Sequence, residues 1–204
     1  MLPYWPTIDA SLQRHAHLGT RSFGDGTALI GHLPRLAPHA FLHRIFGPLS
    51  DTEIRQIEER LQMQVPPSLA EFYRHFNGVM LFDTAICVYG LRRSWDRADV
   101  DAMQCNPFDV YVPTLTYRSC SPSGHGIAIS QYDDLSQVLV EPDGTVVRVR
   151  ESPLHPGEVL NRWGSLGDWL LSECRRVEDC IDRDGTFAYN PKETMPPARP
   201  SWLN

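Results

Sequence analysis

Lysine is nearly absent from this chain. Of 19 basic residues among 204 only Lys192 is a lysine, and 25 acidic residues leave a formal net charge of −6. A dedicated nucleic-acid binder carries a basic surplus to neutralise phosphates, so direct nucleic-acid binding is disfavoured and a charged partner is expected to be basic. Long apolar runs are also missing. Nothing approaches the ~20 apolar residues that cross a bilayer, so no membrane role is expected. The start, MLPYWPTIDASLQRH, has no basic n-region, apolar h-region or small-residue cleavage site, and the expected location is the cytoplasm. Cysteines are few. Cys87, Cys105, Cys120, Cys174 and Cys180 are odd in number, irregularly spaced and without a CxxC pair. That excludes a disulfide framework and a zinc ribbon and leaves reduced thiols. The motifs G-x-S-x-G, G-x-G-x-x-G, H-E-x-x-H and the Walker loop are absent, so no enzyme class is indicated and no cofactor is expected.

What remains is an ordinary globular composition, 42% hydrophobic and 22% charged. Since roughly 100–200 residues make a domain, one domain with extensions is expected. Residues 1–47 hold five of the eight histidines, are rich in Pro and Gly, and read as an irregular N-terminal extension with one short helix at 36–46. From residue 48 the pattern sharpens. Ser50 and Glu53 form a capping box, Leu49 and Ile54 a hydrophobic staple, and Ile54, Ile57 and Leu61 a helical stripe. A second helix starts at Pro66-Pro67, buries Leu69, Phe72, Tyr73 and Phe76, and ends at Asn77-Gly78. Residues 79–91 read as strand broken near Asp83, and 92–109 as loop with a short helix. Strands follow at 126–130 and 137–141, and the turn Glu141-Pro142-Asp143-Gly144 leads into a hairpin partner at 145–150. Ser165 opens a last helix with Leu166, Trp169, Leu170, Cys174 and Val177 on its buried face. Residues 178–204 are a proline-bearing tail. Helices bracketing a run of strands predict an α+β fold, with a mainly antiparallel sheet packed against helices.

Candidate chemistry is sparse. His39 and His43, four apart, share one face of a helix, as a metal pair requires, yet no acidic or thiol ligand lies near. His15-Ala16-His17 would place two imidazoles on one strand face. Cys120 and His125 put a thiol near an imidazole in sequence only. A small metal-dependent or cysteine hydrolase built on His39, His43, His125 or Cys120 is the enzymatic alternative. The aspartates Asp96, Asp99 and Asp101 cluster without the spacing of an EF-hand. With Asp133, Asp134 and Asp143 they are the acidic loop positions from which a partner-binding surface could be built. Trp163 and Trp169 flank Gly164 and read as core anchors.

The segment Leu49-Ser50-Asp51-Thr52-Glu53-Ile54, then Glu58 and Leu61, then Val65-Pro66-Pro67-Ser68-Leu69 with Phe72-Tyr73, then Phe76-Asn77-Gly78, resembles the signature of the SUKH superfamily. That superfamily contains the yeast cell-wall-assembly (glucan synthesis) regulator and many bacterial relatives. The resemblance spans about residues 48–177 and departs at Val79, where a second glycine is frequent. It implies a single SUKH-like α+β domain over 48–177, no catalysis, and a protein partner. Bacterial members of this kind resemble immunity proteins that dock on and neutralise polymorphic toxins such as nucleases. An acidic inhibitor gains association rate against a basic toxin domain. A regulatory or scaffold role of the cell-wall-assembly type is the other implication.

Overall fold

The computed structural model describes residues 2–93, 96, 98–150 and 157–197. Two antiparallel sheets and six α-helices build an α+β fold. In chain order these are α1 (Trp5–Gln13), β1 (Thr20–Ser22), β2 (Ala28–His32), β3 (Phe41–Ile45), α2 (Asp51–Leu61), α3 (Pro67–Tyr73), β4 (Val79–Leu81), β5 (Ile86–Val88), α4 (Val100–Gln104), α5 (Tyr111–Tyr117), β6 (Ile127–Gln131), β7 (Gln137–Val140), β8 (Val146–Val149), β9 (Val159–Trp163) and α6 (Leu166–Glu178). The first sheet has the order β1-β2-β3-β4-β5 and the second β6-β7-β8-β9. The Tyr89 amide, just past β5, donates to the Ile129 carbonyl in β6 at 2.8 Å and joins the two sheets.

The segment before residue 48 is more ordered than its composition suggests. Trp5, Ile8 and Leu12 recur at helical spacing, form the buried face of α1, and enter the main core. Pro6 sits in the first turn, where its missing N–H costs nothing. Helix α1 packs on α6 at close range, because a Cβ at Gly167 would lie 2.4 Å from the Tyr4 ring. The helix expected at 36–46 does not form. Residues 41–45 are strand β3, central in the first sheet, with Leu42, His43 and Ile45 buried.

The expected helices at 50–61 and 166–178 are present with their caps. Ser50 Oγ accepts from the Glu53 amide at 3.3 Å, while the Ser50 amide donates to Glu53 Oε2 at 2.9 Å. Ser165 Oγ accepts from the Asp168 amide at 3.1 Å. Leu166, Trp169, Leu170, Cys174 and Val177 are the buried apolar face of α6. The break near Asp83 is a turn in which Phe82, Asp83 and Thr84 all take positive φ (52°, 50° and 74°), an uncommon run for residues with a Cβ.

The second sheet is covered on both faces. Ile127, Ile129, Val138, Val140 and Val146 face the main core. Ala128, Leu139, Val147 and Val149 pack with Cys120 on the opposite side. That double burial explains why Val138-Leu139-Val140 and Val146-Val147 read as continuous apolar runs without alternation. After α6 a bridge pairs Ile181 with Phe187, and Pro191–Thr194 forms a 3-10 turn. The final seven residues of the proline-bearing tail lie outside the described residues.

Candidate protein-docking site

The histidines expected to hold a metal are placed otherwise. His39 is exposed in the turn before β3, and His43 is fully buried inside that strand, so the two do not share a helix face. His15 precedes a 3-10 turn and is buried, while His17 is exposed, so they share no strand face either. Among the described residues no three His, Cys, Asp or Glu side chains converge as metal ligands do. Cys120 is buried under the second sheet and His125 is exposed. Burial pushes the Cys87 and Cys174 thiols up to about 12, the opposite of an activated nucleophile.

His15 and His43 instead form one hydrogen-bonded chain. The Phe82 amide donates to His43 Nδ1 at 3.2 Å. This fixes the tautomer of His43, whose Nε2–H points to His15 Nδ1 at 3.3 Å. His15 Nε2–H then donates to the Asp182 carbonyl at 3.2 Å. Each ring is neutral and fully used, and the chain supports the left-handed turn at Phe82. Burial, reinforced by neighbouring His15, lowers the His43 pKa to about 3. Burial also lowers that of His15.

A second buried polar centre surrounds Arg148, only 2% exposed on β8. Its Nε donates to Ser136 Oγ at 2.6 Å, its Nη2 to Asp134 Oδ2 at 2.6 Å, and its Nη1 to Asn161 Oδ1 at 3.2 Å and the Pro196 carbonyl at 2.7 Å. The guanidinium lies 4.5 Å above the Tyr132 ring. Close by, Arg176 Nη2 meets the buried Glu173 carboxylate at 2.6 Å, and Arg176 Nη1 donates to the Pro191 carbonyl at 2.8 Å. Asn161, Glu173, Arg176 and Pro196 of these groups border a cleft of about 740 Å³ between β9 and α6. Trp163, expected as a core anchor, is half-buried and lines this cleft.

The six aspartates are spread over three places. Asp96 accepts from the Ala98 amide, Asp99 caps α4 through the Asp101 and Ala102 amides, and Asp101 pairs with Arg21 at 2.6 Å. Asp133 and Asp134 lie in the β6–β7 turn and Asp143 in the β7–β8 turn, at opposite ends of β7. Asp143 closes its turn through the Thr145 amide at 2.9 Å. Leu135 is exposed beside Asp134, but the group at 96–101 lies in the chain segment with most of the exposed apolar side chains. Val100, Met103, Phe108, Val112 and Leu115 are exposed, and they make up five of the eight large hydrophobics exposed among the described residues. Helix α5, which carries Val112 and Leu115, was not legible because Pro113 and β-branched neighbours weaken its helical signal.

The SMI1/KNR4 (SUKH-1) family model matches residues 48–172. The chain belongs to the SMI1/KNR4 family. No curated protein matches it. The matched range includes α2 to most of α6, while the first three strands of the five-stranded sheet lie before it. The signature positions act as bonds between elements. Glu58 Oε1 accepts from the Val65 amide at 3.0 Å and ties the end of α2 to the approach to α3. Asn77 is fully buried. Its Nδ2 donates to the Leu91 carbonyl at 2.8 Å, and its Oδ1 accepts from the Leu91 amide at 2.7 Å. Gly78 must lack a side chain, because φ is +97° and a Cβ would sit 2.4 Å from the Val88 carbonyl oxygen. Val79 opens β4 and is fully buried, so this family member fills a core position where a second glycine is frequent. Membership supports a binding role of the immunity or regulator kind.

Proposed function

We propose that this SMI1/KNR4 protein is a non-enzymatic binding protein of the immunity type, which docks on a basic toxin domain such as a nuclease and neutralises it. The observation that carries the reading is the surface of residues 96–115. It sets five exposed apolar side chains in the same stretch of chain as Asp96, Asp99, Asp101 and Asp109. Exposed apolar residues near acidic ones are what a partner interface requires, and the acidic charge speeds encounter with a basic partner. The described residues contain no helix long and apolar enough to cross a membrane.

The test is co-expression with the toxin domain encoded by the neighbouring gene. Growth restored by the wild type, and lost with Phe108→Asp plus Val112→Asp in a protein that still folds, supports the reading. If no neighbouring gene encodes a toxin, or the wild type rescues no toxin-expressing cell, the reading fails. A pull-down that then returns a housekeeping complex assigns the regulatory or scaffold role instead.

A further inference from the structure

The cleft between β9 and α6 already holds a peptide, and that peptide is the chain itself. Residues 191–197 form a strap whose Pro196 and Pro197 line it, and side-chain donors of the fold take three strap carbonyls. Arg176 Nη1 reaches the Pro191 carbonyl at 2.8 Å, Arg148 Nη1 the Pro196 carbonyl at 2.7 Å, and Asn161 Nδ2 the Pro197 carbonyl at 3.0 Å. These bonds fall on backbone oxygens of a strap that begins as the Pro191–Thr194 3-10 turn, so they select a backbone path and not a set of side chains. The donors are complementary to proline, which offers a carbonyl and has no N–H to leave unpaired.

Two features make this a receptor as well as a clasp. The donors are held without the strap: Arg148 is fixed by Asp134, Ser136 and Asn161, and Arg176 by Glu173. The site therefore persists when the strap leaves, which lowers the ordering cost for any replacement. Second, the strap does not fill the cleft. About 740 Å³ stays open beside Pro196 and Pro197, against β9, which pairs with β8 on one side only. Proline beside an edge strand covers it without extending the ladder, so the strap occupies the edge without sealing it.

We propose that this cleft is a docking groove for a proline-containing segment of a partner protein, which takes the place of the chain's own 191–197 strap. The proposal rests on the reading of the chain as a binding protein, but not on the partner being a toxin.

The probe is a labelled synthetic peptide with the sequence of residues 189–197 (Tyr-Asn-Pro-Lys-Glu-Thr-Met-Pro-Pro), titrated by fluorescence anisotropy into the full-length protein. The full-length Pro196→Gly/Pro197→Gly variant, whose strap loses its preorganisation, binds about tenfold more tightly than wild type. Adding Asn161→Ala to that variant weakens binding about threefold, the loss of one hydrogen bond. A peptide with alanine for every proline binds about tenfold more weakly. Equal binding of the proline and alanine peptides overturns the proposal, as does the absence of saturable binding by the loosened variant. A loosened variant that exchanges straps between copies, seen as a dimer by light scattering, overturns it too. Wild-type hydrogen exchange supplies a check without substitution. The Thr194 and Met195 amides should open about 100-fold more often than those of β7. If they exchange only with global unfolding, the strap is a permanent part of the fold and the proposal fails. Peptide binding without toxin rescue leaves the groove standing and removes the immunity reading, so the two failures are distinguishable.

Discussion

Two buried polar centres tie the C-terminal part of the chain to the two sheets, and they use opposite chemistry. At the first sheet, Phe82, His43, His15 and Asp182 are joined by neutral hydrogen bonds from amide to ring to ring to carbonyl. At the second, Arg148 carries a full charge, shared among Asp134, Ser136, Asn161 and the Pro196 carbonyl. The neutral centre exists only while both imidazoles stay unprotonated. A proton on His43 Nδ1 would face the Phe82 N–H, and one on His15 Nδ1 would face the His43 Nε2–H. The charged centre has no such limit near neutrality. Burial alone would raise the Asp134 carboxyl, but hydrogen bonds from Ser136 and the Arg148 guanidinium hold it below the usual carboxylate range. The difference teaches that two clamps of similar geometry fail under different conditions.

The largest expected effect breaks the charged centre. Arg148→Ala strips Asp134, Ser136, Asn161 and the strap of their shared donor, and should cost about 3 kcal/mol in urea unfolding. A loss under about 1 kcal/mol would show that water replaces the guanidinium and that the centre does not hold the strap.

Next is the pH dependence of the neutral centre. The folded His43 pKa of about 3 lies below its ordinary value of 6.5, so its contribution is complete above pH 6.5 and is lost as pH falls towards 3. Between pH 7 and pH 5 His43 alone should cost about 2 kcal/mol of stability. Asp134 has the same sign in a lower window: its contribution is retained down to the ordinary carboxylate range, about pH 4, and lost below it. Unfolding midpoints that stay level from pH 7 to 5 would contradict the neutral chain.

His43→Leu sharpens the contrast further. It leaves the Phe82 amide without its acceptor and should cost about 2 kcal/mol at pH 7, with a flatter profile from pH 7 to 5 than the wild type. An unchanged slope would place the titration elsewhere. The smallest effect is Asn161→Ala, which removes one bond to Arg148 and one to Pro197 for about 1 kcal/mol. It should leave the pH profile unaltered, since Asn161 lies outside the histidine chain.

Much of the matched region was legible because its signals are local. Ser50 and Glu53 cap within one turn, and the apolar stripe of α6 recurs at fixed spacing. The Asp143-Gly144 turn is set by an Asx bond to Thr145 and a glycine with φ of +86°. The first three strands were hidden for the converse reason. β2 carries a glycine and a histidine, and β3 a buried histidine and a half-buried arginine, so neither shows clean alternation. Trp5, Ile8 and Leu12 did carry a helical period that could have marked α1. The candidate surface was half legible. Asp96, Asp99 and Asp101 could be named from loop composition, but whether Phe108 or Val112 was core or exposed could not.

The sequence alone determined the acidic balance, the caps, the proline-led start of α3 and the Asn77-Gly78 signature, because each is a property of neighbouring residues. The tertiary structure alone decided that His43 meets His15 across 28 positions, and that Arg148 meets Pro196 across 48. It also decided that Trp163 opens on a cleft while Trp169 is only 1% exposed. These facts depend on sheet order and on the face each strand presents, and a single change of register would reverse them.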